Sequence, residues 1–131
     1  MQWDESPNAG FTDGTPWIGL PTRRENISAQ AEEQDETSIL SYYKRLIRLR
    51  KQEPVVSEGD IRFILPDEAG VIAYERTFGG KKMTVYCNFT AGQREIPFDG
   101  GYFVMGSYEE APICENGRCL LRPYEGCIFL S

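Results

Sequence analysis

Hydrophobic residues recur along the chain with two different periods, and the change falls near Glu53. Between Ser38 and Lys51 they follow the spacing that places side chains on one side of an α-helix, and they are Ile39, Leu40, Tyr43, Leu46 and Ile47. Burying five such side chains would contribute at most about 8–15 kcal/mol. This helix therefore requires a partner surface.

Local signals mark both ends of the predicted helix. Asp35, Thr37 or Ser38 can accept hydrogen bonds from the free amides of the first turn. Pro54 ends the helix, because the residue before a proline is driven out of the α conformation. Upstream, residues 1–34 read as irregular chain rich in glycine and proline, with Ser28 or Asn26 able to cap one short turn over residues 29–34. The aromatic residues Trp3, Phe11 and Trp17 argue against disorder there and favour a loop that lies on a larger body.

After Glu53 the pattern alternates with the period of a β-strand. Gly79-Gly80 and Asn116-Gly117 are hairpin turn signals. The predicted strands cover residues 61–65, 71–78, 82–89, 93–97, 102–107, 111–114, 118–122 and 126–130. Short strands at such close spacing, without intervening helices, predict an antiparallel sandwich or barrel over residues 53–131.

Composition excludes several classes of function. The chain of 131 residues carries a net charge of −6, which argues against nucleic acid as a partner, and it has no histidine, which removes imidazole triads and histidine metal sites. No apolar run approaches the ~20 residues of a membrane span. The first residues show no secretory signal, so we expect a cytoplasmic protein.

Four cysteines are present, and two of them flank the Asn116-Gly117 turn. That turn would set Cys114 and Cys119 opposite each other across a hairpin. Because a reducing compartment keeps thiols free, we expect no disulfide bond.

The acidic residues lie in hydrophilic runs, as expected for solvated surface charge. Acid–base catalysis by a pair of carboxyl groups needs both of them in one cleft that raises the pKa of one, and no such pair can be argued here. Asp4, Asn8 and Asp13 lack the ligand spacing of a calcium loop. We therefore expect no catalytic residue, no substrate-binding residue, no metal site and no cofactor in this chain.

Several motifs occur in the order found in one enzyme family. Met1–Asp4, Asn8–Thr12 and Gly14–Ile18 resemble the segment after the eighth barrel strand of glycoside hydrolase family 13 α-glucosidases. Residues 35–54 resemble their last barrel helix, and Leu121–Glu125 resembles the turn into the last strand of their C-terminal domain. Oligo-1,6-glucosidases and trehalose-6-phosphate hydrolases are the most similar subgroups. Residues 20–24 depart from the usual Asn-Pro-Asn-Tyr pattern, which leaves the subfamily open.

The resemblance implies a (β/α)8 catalytic barrel followed by a Greek-key β-sandwich called domain C. Residues 1–52 would be the end of that barrel, as a long loop plus one amphipathic helix, and residues 53–131 would be domain C. The family's nucleophile, general acid/base and stabilising aspartate would all precede Met1. The expected partner is the parent barrel, and the expected function is that of a non-catalytic C-terminal part.

Two alternatives stay open. Tyr102, Phe103 and Tyr108 could form a sugar-stacking platform, although strand alternation sends Tyr102 and Phe103 to opposite faces. Alternatively, the apolar side of the helix could mediate protein interactions or self-association. No membrane partner is expected.

Overall fold

The computed structural model describes residues 1–22 and 26–131. Arg23 and Arg24, within the segment that departs from the family pattern, lie outside the described residues. The chain divides into two compact units, Met1–Gln52 and Glu53–Ser131, and each is described by itself. Within the described part, no helix has the length and apolar composition needed to cross a bilayer.

The first unit contains two helices after the N-terminal loop, α1 (Ala29–Gln34) and α2 (Ile39–Gln52). The Ser28 hydroxyl caps α1 by accepting a hydrogen bond from Ala31 N at 3.2 Å. At α2, Ser38 fills the same role, because its Oγ accepts from Ser41 N at 3.1 Å. The predicted helix over residues 38–51 is thus present, displaced by one residue, and Ser38 is its cap among the three candidates.

The apolar side of α2 is left largely uncovered by the rest of its unit. None of its residues is buried. Three residues spaced four apart form what we call the α2 stripe: Ile39, Tyr43 and Ile47, which are 70%, 59% and 51% exposed. Leu40 and Leu46 are partly buried. Hydrophobic side chains in such a row normally face another element, so the requirement for a partner surface is not met within this unit.

The second unit begins with a short helix that the sequence analysis missed, α3 (Pro54–Ser57). Pro54 ends α2 as expected, but it also takes the first helical position of α3, where its missing N–H costs nothing. Eight strands follow: β1 (Asp60–Ile64), β2 (Val71–Phe78), β3 (Lys81–Asn88), β4 (Arg94–Pro97), β5 (Tyr102–Gly106), β6 (Ile113–Glu115), β7 (Arg118–Leu121) and β8 (Gly126–Leu130). Each predicted strand is confirmed to within about two residues.

The strands form two antiparallel sheets, of order β1-β2-β3-β8-β5 and β4-β7-β6. Gly79-Gly80 joins β2 to β3 with φ of 58° and 82°, and Asn116-Gly117 joins β6 to β7 with φ of 51° and 74°. Two positive φ values are what a two-residue hairpin turn needs to match strand twist. The prediction of a mainly β, antiparallel sandwich is confirmed.

The core lies between the two sheets. Ala73, Tyr86 and Phe129 from the larger sheet meet Ile96 and Leu121 from the smaller one. The opposite face of the larger sheet is covered at one end by Val55 of α3, which packs with Met83, Val85 and Leu130. Farther along that face, the side chains of Ile61, Phe63 and Ile72 are 54%, 68% and 48% exposed.

Candidate functional site

The N-terminal loop is ordered by backbone hydrogen bonds. Trp3 N donates to Ala9 O at 2.8 Å, and Gln30 N donates to Trp3 O at 3.0 Å, which ties the loop to α1. Ala9 and Ser28 are fully buried beneath it. The aromatic residues of this loop therefore sit on a defined backbone, as a loop that contacts a larger body would require.

An apolar cavity of about 620 Å³ opens in this unit. Phe11, Trp17 and Ile18 line it from the loop, while Ile27 and Leu40 line it from the segments around α1 and α2. Trp17 is 92% exposed, a large uncovered area for a tryptophan. Large aromatic side chains gain most from burial, so this concave surface is suited to contact with other protein or with ligand.

Two of the calcium candidates, Asp4 and Asn8, make hydrogen bonds within the loop. Asn8 turns its Nδ2 group toward the loop and donates to Thr12 O and Gly14 O at 2.9 and 3.0 Å. Asp4 accepts from Ser6 N at 2.9 Å, and its hydrogen bonds with Ser6 lower the pKa of its carboxyl. Among the described residues, no three acidic, cysteine or histidine side chains come together as metal ligands.

The acidic run before α2 has a structural role. Glu32 Oε2 accepts from Leu40 N at 2.9 Å and so satisfies a free amide of the first turn of α2. Asp35 Oδ1 accepts from Thr37 N and from the Thr37 hydroxyl, and these hydrogen bonds lower the pKa of Asp35. Glu33 makes an exposed ion pair with Lys44. Capping and surface pairing thus account for these carboxylates.

A second group of charges, not identified from the sequence, lies at one edge of the sandwich. Glu75 is only 6% exposed. Its Oε2 is 2.5 Å from an Arg62 guanidinium nitrogen, its Oε1 is 3.3 Å from Lys82 Nζ, and Lys82 also contacts Asp99. The signal was present in the alternation of β2, which points Val71, Ala73 and Glu75 to the same side.

A third charged cluster organises the turn that resembles the family motif. Glu125 is 1% exposed. Its carboxylate accepts hydrogen bonds from the Arg122 guanidinium at 2.5 and 3.1 Å and from Arg122 N at 2.6 Å. The Glu125 carboxylate raises the pKa of Arg122. The Arg122 guanidinium also lies 4.2 Å from the ring centroid of Tyr108, whose hydroxyl donates to Pro123 O at 2.9 Å. The motif Leu121–Glu125 is therefore a structural corner.

The aromatic platform considered from the sequence is not assembled. Phe103 packs against Phe129 in the core with ring centroids 5.9 Å apart, while Tyr102 is 62% exposed. One face of Tyr108 is already occupied by Arg122. The expectation that Tyr102 and Phe103 point to opposite sides of β5 is correct.

The cysteines differ from expectation. Cys114 and Cys119 are cross-strand partners, as the Asn-Gly turn predicts, but their Sγ atoms are 2.15 Å apart and form a disulfide bond. The expectation of no disulfide bond is therefore wrong. The hairpin register places Cys114 directly opposite Cys119, which brings the two thiols together. Cys87 and Cys127 are free. Burial raises the pKa of both thiols, that of Cys127 to about 12.

Comparison with known proteins relates both units to one group of enzymes. Residues 1–59 match the alpha-amylase family, described as alpha amylase, catalytic domain. The chain is 43% identical to an oligo-1,6-glucosidase of Parageobacillus thermoglucosidasius, over 98% of this chain and 24% of the relative. It is 37% identical to the trehalose-6-phosphate hydrolase of Escherichia coli strain K12, over 100% of this chain and 24% of the relative.

A solved structure matches the whole fold. The trehalulose synthase of Pseudomonas mesoacidophila superposes with a TM-score of 0.86 at 34% identity, over 99% of this chain and 24% of that one. The chain thus spans about a quarter of the length of the relatives it matches. The alignments cover its loop, helices and sandwich together. The chain is accordingly a member of the alpha-amylase family of glycoside hydrolases, and it corresponds to the C-terminal part of the family's α-glucosidases.

Proposed function

We propose that this chain is the non-catalytic C-terminal part of an α-glucosidase. Residues 1–52 complete a (β/α)8 barrel, and residues 53–131 form the domain C that supports it. The parent enzyme hydrolyses α-glucosidic bonds in oligosaccharides or in trehalose-6-phosphate, the substrate classes in the names of the relatives. A cytoplasmic location is part of this proposal, because those relatives are bacterial glucosidases.

The observation that carries the proposal is the uncovered α2 stripe. The stripe is a row of exposed apolar side chains, Ile39, Tyr43 and Ile47. It lies on a helix within the region that matches the alpha-amylase catalytic domain. About three quarters of each relative lies outside the matched region. The remaining barrel elements are therefore the surface that we propose for this stripe, since helices of a (β/α)8 barrel bury one face against neighbouring helices and strands.

The arrangement of carboxylates supports the non-catalytic role. Glu75 and Asp99 are two carboxylates close to one another, but the Lys82 ammonium contacts both. The position between them is therefore taken by a cation, where a glycosidase would hold the glycosidic oxygen. Glu125 is enclosed and fully engaged with Arg122. Neither arrangement leaves two carboxyl groups free to face each other across a bound sugar.

Activity assays test the absence of catalysis. The 131-residue chain should hydrolyse neither p-nitrophenyl α-glucoside, isomaltose nor trehalose-6-phosphate above a no-protein blank, while a complete oligo-1,6-glucosidase serves as the positive control. Hydrolysis that persists after purification and disappears in a Glu75→Gln variant would overturn the proposal.

Co-expression tests the docking of α2. The remainder of the Parageobacillus thermoglucosidasius oligo-1,6-glucosidase, without its matching region, should co-purify with this chain. Ile47→Glu should abolish co-purification, because a charge in a buried helix contact is costly. The matched control is Arg48→Glu on the polar side, which should leave it intact. Equal behaviour of the two variants would contradict the proposed docking face.

A further inference from the structure

Two surface cavities of the second unit share a wall at the edge of the sandwich. One, of about 400 Å³, is lined by Arg62 and Lys82, and the other, of about 210 Å³, is lined by Tyr86 and Phe98. Glu75 and Asp99 line both. The first volume lies near the lower end of the roughly 300–1,000 Å³ found for drug-sized ligands, and the second lies below it. A ligand here is therefore small.

Tyr86 presents a polar group that lacks a partner. The residue is 2% exposed and lines the smaller cavity, and its hydroxyl makes no hydrogen bond to another residue within 1–22 and 26–131, where only the Tyr86 carbonyl accepts one from a side chain, the Cys127 thiol. A buried hydroxyl without a partner is costly, and nearly all such groups in proteins are satisfied. Burial, followed by the nearby Asp99 and Glu75 carboxylates, raises the pKa of Tyr86 to about 12. Like any tyrosine, the phenol is protonated at neutral pH and can donate a hydrogen bond.

The charges around the cavities determine which ligands fit. Each carboxylate is already paired with a cation, Glu75 with Arg62 and Lys82, and Asp99 with Lys82. An anionic ligand would be repelled by the Glu75 and Asp99 carboxylates, and a cationic ligand would be repelled by Lys82 and Arg62. A neutral molecule with several hydroxyl groups avoids both repulsions, and it can accept from ammonium or phenol groups while donating to carboxylates.

The smaller cavity also has an apolar side. Ile64, Leu65, Pro97 and Phe98 line it next to Tyr86. Apolar side chains beside a few convergent polar groups are typical of ligand sites. A pyranose ring has this combination, because its C–H groups form an apolar face while its hydroxyls project from the edge. A linear polyol of the same polarity lacks that face.

From this geometry we infer a binding site for a single neutral pyranose ring at the sandwich edge, with Tyr86 as hydrogen-bond donor and Asp99 as acceptor. The site lies within domain C and involves none of the α2 stripe. It goes beyond the proposed function, and its test is independent of barrel docking. Because Lys82 separates the two carboxylates, the site binds the sugar without cleaving it.

The experiment is a titration of the ¹⁵N-labelled 131-residue chain with methyl α-D-glucopyranoside, followed by amide chemical shifts. We expect saturable shifts, with a millimolar dissociation constant, at Tyr86, Phe98, Asp99 and Gly117. Glycerol at equal hydroxyl concentration should give no saturable shift at these amides. EDTA in both titrations removes any contribution from metal ions.

Two variants test the roles of the side chains. Tyr86→Phe keeps the ring and removes one hydrogen bond, so affinity should fall about fivefold. Asp99→Asn changes a side chain that is 56% exposed and should weaken binding similarly without unfolding the protein. Tyr102→Phe on β5 is the matched control and should bind normally. The inference is overturned if no saturable shift occurs, if glycerol reproduces the shifts, or if Tyr86→Phe binds as tightly as the parent.

Discussion

The ion pair between the partly buried Arg122 and the fully buried Glu125 offers a sharp test of how the second unit is held together. Glu125 accepts three hydrogen bonds from Arg122, two from the guanidinium and one from the backbone N–H, and it is 1% exposed. Replacing it with glutamine preserves the size of the side chain. The amide oxygen can still accept from Arg122 N, so the change isolates the loss of charge.

The expected loss follows from the geometry. A glutamine turns an NH₂ group toward the guanidinium, and the arginine loses its buried counterion. Breaking a buried ion pair from one side costs about 3–5 kcal/mol. For a unit of this size, each 1 kcal/mol lowers Tm by about 4–8 °C. Glu125→Gln should therefore lower Tm by more than about 12 °C.

Urea and thermal unfolding, followed by far-ultraviolet circular dichroism, measure this loss. The control is Glu95→Gln, which removes an ion pair with Arg118 in which the side chains are 57% and 53% exposed. Such exposed pairs contribute about 0–1 kcal/mol. The reasoning fails if both variants lose the same stability, or if Glu125→Gln unfolds within about 1 kcal/mol of the parent.

Three further predictions concern pH, thiols and association. Because burial raises the pKa of Cys127 from 9.0 to about 12, the folded state keeps a proton between these pH values that the unfolded state releases. The free energy of unfolding should therefore decrease between pH 9.0 and about pH 12, by up to about 1.4 kcal/mol per pH unit, and Cys127→Ala should reduce this decrease. Alkylation in denaturant without reductant should modify two cysteines, and four after reduction; four in both cases would rule out the bond between Cys114 and Cys119. Sedimentation velocity should show that the chain self-associates through the α2 stripe as its concentration rises, and Ile47→Glu should abolish this self-association. A chain that stays monomeric at every concentration would contradict self-association through the stripe.

Local sequence determined the elements of this protein. Alternation predicted the strands because successive side chains of a strand point to opposite faces, and it predicted correctly that Phe103 and Tyr102 separate. The Gly79-Gly80 and Asn116-Gly117 turns were predictable because few residues adopt two successive positive φ values. The helix over residues 39–52 was predictable from its 3.6-residue period and from Pro54.

Only the tertiary structure decided which distant groups meet. β8 lies between β3 and β5, a placement that depends on pairing between strands far apart in the sequence. The alternation of β2 could place Glu75 inward, but its ion pairs depend on Lys82 from β3 and Asp99 from a later loop. That the Tyr86 hydroxyl finds no partner among the described residues depends on every element packed around it. Periodicity is a property of neighbouring residues, whereas burial and charge pairing depend on the folded arrangement of the whole unit.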